Sequence, residues 1–412
     1  MRAYERFLNY AKISTASQEG TGRTPTTARQ LDLALLLAEE LRALGVADAR
    51  VDAYGYVYGS LPATPGCEGA PALGWIAHMD TVPDFPGENV RPMLHPDYDG
   101  GDVALPQNGC VLRTEDFPFL KTLRGQTLIT ADGSTLLGAD DKAGIAEIVT
   151  ACERLLHSGA AHGAVKIAFT PDEEVGLGTA HFDVAGFGAQ YAYTMDGGAA
   201  GSISYENFNA ASAVFEVTGV SVHPGMAKDT MVNALKLCCE IDGMLPAAET
   251  PEHTEGREGF FHMHSLSGGV AAARMEYIVR DHDRASFERR KETLENVRRA
   301  VAEKYPAARV ALTVRDSYYN MLEKIKPCMH LIDNAKLACE QAGVPWELEA
   351  TRGGTDGAQL SYKGLPCPNL GTGGYNCHGP YECITAEGMD KAVEIILNIV
   401  ALYANAREDT EQ

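Results

Sequence analysis

Two adjacent carboxylates, Asp140 and Asp141, stand between an apolar stretch and a predicted helix. Apolar residues follow them at helical spacing from Ile145 to Leu156, so both acids lie in a strand-to-helix turn, at the positive end of the helix dipole. Such a pair is most often a helix N-cap with a solvated neighbour. The alternative is a metal ligand, which needs partner ligands from other parts of the chain.

Histidine and carboxylate side chains also follow other predicted strands, and they supply these partners: His78, Glu174, Asp196 and His378. Ligands of α/β sheets gather at the carboxyl ends of the strands. Together with Asp140, the set suits two Zn²⁺ ions per chain, with Mn²⁺ or Co²⁺ as alternatives. If Asp140 bridges the ions, His78 and Asp196 complete one site. Glu174 and His378 then complete the other, and an open position remains for water.

Three further acids lie close to these ligands in the sequence. Glu173 precedes the ligand Glu174, where a carboxylate can act as general base towards a metal-bound hydroxide. Asp80 follows His78 by two residues, so it is expected to accept the second imidazole N–H and to orient the ring. Asp141 stays open between two roles, support of a ligand or helix cap.

Strands, acid-bearing turns and helices alternate in the first half of the chain. This order predicts an α/β fold with a mixed, largely parallel sheet flanked by helices. After Asn207 the predicted order changes to βαββαβ, with strands at 210–218, 259–266, 272–281 and 308–315 and helices at 230–244 and 283–304. That order predicts an inserted α+β domain of ferredoxin-like type. The expected domains are therefore a catalytic domain in two parts, 1–207 and 321–412, and an insertion at 208–320.

Composition excludes several classes of protein. With 45% hydrophobic and 22% charged residues, the 412-residue chain is typical of a soluble globular protein. Its net charge of −21 argues against a nucleic-acid partner. We expect no membrane association, because the sequence lacks a signal peptide and a long apolar run. Ten scattered cysteines indicate reduced thiols and a cytoplasmic location. The polar tail, Arg407 to Gln412, is expected to be frayed.

Six motifs resemble those of a known family: His78-Met-Asp80-Thr, Gly138-Ala-Asp-Asp-Lys-Ala-Gly144, Pro171-Asp-Glu-Glu-Val-Gly176, Asp196-Gly-Gly, Val222-His-Pro-Gly225 and Gly371-Thr-Gly-Gly-Tyr-Asn-Cys-His378. In order and spacing the whole chain resembles the di-zinc exopeptidases and amidohydrolases related to carboxypeptidase G2. Within this family it most closely resembles the tripeptide aminopeptidases. The resemblance implies the five ligands named above, with Glu173 as base and Asp80 as support.

The inserted domain is expected to act as a lid over the site. The resemblance implies that His223, in a His-Pro-Gly turn, stabilises the tetrahedral intermediate. Arg280 at the end of a lid strand and Arg352 before a Gly-rich turn are both placed to bind a peptide carboxylate, and the sequence does not choose between them. Asn233 is a further candidate for substrate binding.

These observations predict a metallo-aminopeptidase that removes the first residue of tripeptides. One alternative keeps the site but changes the substrate, as in a dipeptidase, carboxypeptidase or N-acyl amino-acid amidohydrolase. Another is a binding protein without activity, against which the intact base and ligands argue. The insertion from Asp84 to Gly109 favours the first reading. The partner is a small peptide, and homodimer formation is left open.

Overall fold

The computed structural model describes residues 1–405, which form two compact units. Unit 1 contains Met1–Tyr205, Glu323–Glu349 and the described chain from Thr355 onwards. Unit 2 contains Glu206–Leu322 and Ala350–Gly354. The tail predicted to fray, from Arg407, lies outside the described residues.

The helices of the described chain are numbered in order. They are α1 (Ala3–Tyr10), α2 (Gln30–Leu44), α3 (Ala139–Ser158), α4 (Val184–Phe187), α5 (Ala234–Gly243), α6 (Arg284–Lys304), α7 (Leu322–Ile325), α8 (His330–Gln341), α9 (Asp356–Tyr362) and α10 (Ala386–Asn405). None of these described helices has the length and apolar character needed to cross a bilayer.

The strands of the described chain are numbered in the same way. They are β1 (Arg50–Val51), β2 (Val57–Leu61), β3 (Leu73–His78), β4 (Met93–His95), β5 (Val103–Ala104), β6 (Val111–Leu112), β7 (Leu128–Thr130), β8 (Val165–Thr170), β9 (Tyr191–Met195), β10 (Ser202–Asn207), β11 (Asn209–Thr218), β12 (Phe260–Gly268), β13 (Ala272–Asp281), β14 (Arg309–Tyr318), β15 (Glu347–Thr351), β16 (Asn369–Leu370), β17 (Gly374–Tyr375) and β18 (Cys383–Thr385).

The central sheet has the order β1-β2-β8-β3-β9-β16-β10-β15. Its middle strands, β8, β3, β9 and β16, run parallel. Strands β2 and β10 pair antiparallel with β8 and β16, and β1 pairs antiparallel with β2. Strand β3 is buried along its whole length, as expected for a strand covered on both faces. Helix α3 packs on β3 and β9, and α1 and α10 pack on α3. The predicted sheet with flanking helices is confirmed.

Unit 2 has the predicted strand and helix order, β11-α5-β12-β13-α6-β14. Its four strands form one antiparallel sheet in the order β12-β13-β11-β14. Apolar side chains on alternate positions of β11, such as Phe215 and Val217, share a core with Leu237 of α5 and Leu294 of α6. Helix α5 begins at Ala234, later than predicted, because the side chain of Asn233 caps it.

Candidate metal centre

The predicted metal ligands all belong to unit 1. His78 ends β3, Glu174 lies four residues after β8, and Asp196 directly follows β9. These three strands are parallel neighbours, so their carboxyl ends meet at one edge of the sheet. Asp140 is the second residue of α3, and His378 lies in the loop between β17 and β18.

The carboxylate of Asp140 lies between the two histidines. Its Oδ1 is 2.9 Å from Nε2 of His78, and its Oδ2 is 3.0 Å from Nε2 of His378. His378 Nε2 is also 3.2 Å from Oε1 of Glu174, and His78 Nε2 is 3.9 Å from Oδ1 of Asp196. The structure therefore brings together the five side chains predicted as ligands, with Asp140 in the middle.

A divalent ion fits the chemistry of this cluster. The ligand atoms of His78, Asp140 and Glu174 lie within 4.8 Å of one another. The contact of Glu174 Oε1 with His378 is short enough for an ion pair but lacks the geometry of a hydrogen bond, so this oxygen is buried without a hydrogen-bond partner. Burying such an oxygen is costly unless a cation compensates it. Imidazole and carboxylate ligands suit Zn²⁺, Mn²⁺ and Co²⁺.

The electrostatics of the cluster suit the binding of a cation. Burial, and then the nearby charge of Asp140, raise the pKa of Asp196 well above its ordinary range. Burial also raises the pKa of Glu174. At Asp140 burial acts in the same direction, but the contacts with both histidines outweigh it and lower the pKa of that carboxyl. A bound dication would favour the charged form of every carboxylate here.

Asp80 is fully buried beside the cluster and has more contacts than the sequence predicted. The Nδ1 atom of His78 is 3.0 Å from the backbone oxygen of Asp80 and 3.5 Å from its carboxylate Oδ1. The carboxylate also accepts the backbone N–H of Glu173 at 2.9 Å and of Glu174 at 3.2 Å. Asp80 therefore links the imidazole to the turn that carries the predicted base.

Asp141 supports the strand that ends in His78. Its Oδ2 accepts the backbone N–H of His78 at 3.0 Å, and its side chain is almost completely buried. The peptide bond between Asp140 and Asp141 is cis. Of the two roles that the sequence left open, these contacts favour support of a ligand. An oxygen of Asp141 also lies within 4.8 Å of ligand atoms of His78 and Asp196.

The carboxyl of Glu173, the predicted base, has a shifted pKa. Burial, followed by the nearby charge of Asp196, raises the pKa of Glu173 well above its ordinary range. A raised pKa moves a carboxylate towards the range in which a general base works at neutral pH.

Glu382 is a part of the site that sequence reasoning missed. Its Oε2 accepts the backbone N–H groups of Leu137 and Gly138, both at 2.7 Å, and its Oε1 accepts that of Asp140 at 2.9 Å. Burial raises the pKa of Glu382 to about 7, although these hydrogen bonds oppose the shift. The residue thus fixes the turn that carries Asp140. The sequence feature that could have indicated Glu382 is the position of an acid directly before the apolar strand β18.

Two of the predicted substrate contacts lie on the surface or at a helix end of unit 2. His223 is exposed, and its Nδ1 accepts the backbone N–H of Gly225 at 3.2 Å. Asn233 uses its Oδ1 to cap α5, accepting N–H groups from Leu235 at 3.0 Å and Lys236 at 3.4 Å. These contacts are local and leave the remaining atoms of both side chains open to other partners.

Arg352 packs within unit 2, although the sequence placed it in the second part of the catalytic domain. Its guanidinium lies over the rings of Phe208 and Phe260, 5.0 and 5.6 Å from their centroids. It donates to three backbone oxygens and one hydroxyl, those of Gly256 (2.8 Å), Glu258 (3.1 Å) and Thr254 (3.3 Å to O, 3.0 Å to Oγ1). Arg352 is therefore engaged in holding its own unit together.

Arg280 differs from Arg352 in what its guanidinium contacts. Its Nη1 donates to the backbone oxygen of Arg352 at 2.7 Å. Its Nε is buried and has no hydrogen-bond partner within residues 1–405. An unpaired buried donor of this kind is rare in folded proteins.

Comparisons with known proteins agree with this fold. Residues 205–309 match a family model described as a peptidase dimerisation domain. Aminopeptidase PepT from Bacillus cereus ATCC 10987 superposes with a TM-score of 0.79 at 22% identity, covering 98% of each chain. The Bacillus subtilis YXEP protein, a dinuclear metal binding peptidase from the M20 family, superposes with a TM-score of 0.65 at 14% identity, covering 97% of each chain. The fold is that of the M20 peptidases.

Sequence comparison narrows the assignment within this class. Peptidase T of Geobacillus kaustophilus (strain HTA426) is 50% identical over 401 residues, 97% of each chain. Peptidase T of Desulfitobacterium hafniense (strain DSM 10664 / DCB-2) is 52% identical over 402 residues, 97% of this chain and 98% of the relative. The chain belongs to the peptidase T family, and the resemblance predicted from its motifs is confirmed.

Proposed function

We propose that this protein is a di-zinc aminopeptidase that removes the N-terminal residue from tripeptides. The observation that carries the proposal is the carboxylate of Asp140, whose two oxygens lie 2.9 and 3.0 Å from different histidines. A carboxylate placed in this way can bridge two ions. Membership of the peptidase T family and the M20 fold support the same reaction class.

Five side chains would hold the ions, with Asp140 shared. His78 and Asp196 would complete one site, and Glu174 and His378 the other. Mn²⁺ or Co²⁺ suit the same ligands. Ions held there would supply Lewis-acid chemistry towards a carbonyl group and water.

The other residues of the proposed mechanism move protons or fix geometry. Glu173, next to the proposed ligand Glu174, would take a proton from the attacking water and pass it to the leaving amine. Asp80 orients the imidazole of His78, and Glu382 holds the turn of Asp140. His223 is proposed to donate a hydrogen bond to the developing oxyanion.

Substrate length is proposed to depend on Arg280. The buried, unpaired Nε of this residue offers a donor for the C-terminal carboxylate of the peptide. A tripeptide holds its carboxylate at one distance from the first peptide bond, whereas a dipeptide is too short and a longer peptide extends further. Asn233 remains a weaker candidate for a contact with the substrate.

Assembly and location complete the proposal. The match of residues 205–309 to a peptidase dimerisation domain supports a homodimer. The ten cysteines are all free, as expected for a cytoplasmic protein with reduced thiols.

The test compares a tripeptide with its C-terminal amide, and with dipeptides and tetrapeptides, on zinc-loaded protein. The proposal expects rapid cleavage of the free tripeptide only. It also expects Arg280→Ala to cleave the acid and the amide equally slowly, because both then lack the clamp. Equal cleavage of acid and amide by the wild type would contradict the proposed role of Arg280 and favour an amidohydrolase.

A further inference from the structure

The first three backbone N–H groups of the turn that carries Glu173 and Glu174 donate to side chains. It begins at Asp172, which has a left-handed backbone with φ of 60°. The N–H of Asp172 donates to Oε1 of Gln30 at 3.2 Å. The next two N–H groups, of Glu173 and Glu174, donate to the two carboxylate oxygens of Asp80 at 2.9 and 3.2 Å. No rotation of this turn is possible without breaking one of these bonds.

The carboxylate of Asp172 is directed away from the metal centre, into the chain before α2. It is completely buried. It accepts the backbone N–H of Thr26 at 2.9 and 2.8 Å, the hydroxyl of Thr26 at 2.5 Å and Nε2 of Gln30 at 2.6 Å. Hydrogen bonds to a carboxylate are stronger than those between neutral groups, so the contact is firm.

Gln30 occupies a position where an apolar residue would be expected. It lies on the buried face of α2, in line with Leu33, Leu37 and Leu41. Its amide has only weak contacts nearby, at 3.4 and 3.3 Å to the hydroxyls of residues 26 and 27. Its one short hydrogen bond, from Nε2 at 2.6 Å, goes to Asp172, which is 142 residues away in sequence, and its Oε1 accepts the N–H of Asp172 at 3.2 Å. A polar side chain in the apolar stripe is thus used to reach the turn.

We propose that Thr26, Gln30 and Asp172 form a clamp that positions the Glu173–Glu174 turn. Asp80 fixes this turn from the side of His78, and the clamp fixes its opposite end. None of the clamp residues is among the proposed ligands or the base, so they act as positioning residues. The proposal rests on the proposed function for the roles of Glu173 and Glu174. Small displacements of a base reduce turnover strongly, so the clamp contributes to rate.

The test exchanges the hydrogen-bond acceptor at position 172 and the donor at position 30. Asp172→Asn keeps a residue that tolerates the left-handed backbone, but it places an amide N–H₂ against the donors of Thr26 and Gln30. We expect turnover on a tripeptide to fall by about 10–100-fold, as for other residues that support metal ligands. KM should change little, because the clamp does not touch the substrate. Adding Gln30→Glu restores an acceptor opposite Asn at position 172, so the double variant should recover most of the loss.

Two further measurements keep the result interpretable. Thr150→Val removes another buried hydroxyl of unit 1, one that accepts a hydrogen bond from Arg6 at 3.0 Å, and serves as the stability control. Thr26→Val is the milder variant of the clamp if Asp172→Asn does not fold. Titration with Co²⁺, followed by its absorption spectrum, reports metal binding at the site that includes Glu174 without any need for activity.

Three outcomes overturn the proposal. The first is a folded Asp172→Asn or Thr26→Val with wild-type turnover and wild-type Co²⁺ binding. The second is a loss of turnover in Thr150→Val equal to that of the clamp variants. The third is a double variant no better than Asp172→Asn. An inactive wild type would instead contradict the proposed function, and the clamp would then be judged by Co²⁺ affinity alone.

Discussion

Both units hold charged groups near their turns, but they satisfy them in different ways. In unit 2 the guanidinium of Arg352 meets three backbone oxygens, a hydroxyl and two aromatic rings, so its charge is accommodated by its own surroundings. In unit 1 an oxygen of Glu174 is buried without a hydrogen bond, and the pKa values of Glu173 and Asp196 are raised by burial and neighbouring charge. A charge that the protein satisfies itself indicates a structural role. Carboxyls with shifted pKa values that cluster with imidazoles, as in unit 1, indicate a bound ion or chemistry.

The largest expected effect is at the base. Glu173→Gln removes the proton acceptor but keeps the size of the side chain, so turnover should fall by roughly 10²–10⁴-fold. Metal content and melting temperature should remain those of the wild type, since Glu173 is not a proposed ligand. Steady-state kinetics on metal-loaded protein and elemental analysis measure both. Near-normal turnover in a loaded variant would remove Glu173 from the mechanism.

Glu382 should have the next largest effect. In Glu382→Gln one acceptor oxygen becomes an amide group, which cannot accept the N–H groups that meet there. We expect a loss of about 10–100-fold in metal affinity or turnover. The matched control is Glu387→Gln, which alters a glutamate whose Oε2 accepts the N–H of Thr127 at 2.7 Å, away from the ligand turn. Equal effects of the two substitutions would show that Glu382 has no special relation to Asp140.

Arg352 tests whether a charge satisfied within unit 2 has a structural role. Arg352→Ala should lower the free energy of unfolding by about 1–3 kcal/mol, because carbonyl oxygens lose a charged donor. The control Arg257→Ala should lose less, since it removes an exposed ion pair with Glu206. Denaturant titration measures both. A stability unchanged by Arg352→Ala, with a raised KM for tripeptides, would make Arg352 the carboxylate clamp in place of Arg280.

Glu147 gives the smallest expected effect. Both of its carboxylate oxygens are buried without partners, and burial raises its pKa well above the ordinary value of 4.5. Its contribution to stability is therefore complete below pH 4.5 and is lost as the pH rises towards its folded-state pKa. Glu147→Gln removes this titration. The melting temperature of the metal-free variant, minus that of the metal-free wild type, should therefore increase with pH.

Melting temperatures of Glu147→Gln and of the wild type, compared from acidic to alkaline pH, check this expectation. A difference that does not change with pH would show that Glu147 is not held in its neutral form.

The sequence predicted the parts of the site that depend on local pattern. Strand ends followed by His78, Glu174 and Asp196 are visible because each ligand directly follows an apolar run or a turn motif. The supporting contacts are not visible, since they join residues far apart in the chain. Glu382 reaches the Asp140 turn across more than 240 residues, and Gln30 reaches Asp172 across 142. The periodicity of α2 shows Gln30 only as a polar residue among apolar ones and does not indicate its partner.

The same reason explains the misplacement of Arg352. Its neighbours in the sequence belong to unit 1, and its contacts with residues 254–258 lie 94–98 residues away. Sequence periodicity assigns a residue to a helix or strand. It gives no information on which distant loop the side chain will contact.

The most direct test of the account is the number of metal ions that Asp140 holds. Protein loaded with Zn²⁺ and freed of excess ion should contain two ions per chain by elemental analysis, and Asp140→Ala should lose most of both, together with tripeptide hydrolysis. One ion per wild-type chain, with activity retained in Asp140→Ala, would contradict the bridging role on which the proposed function depends.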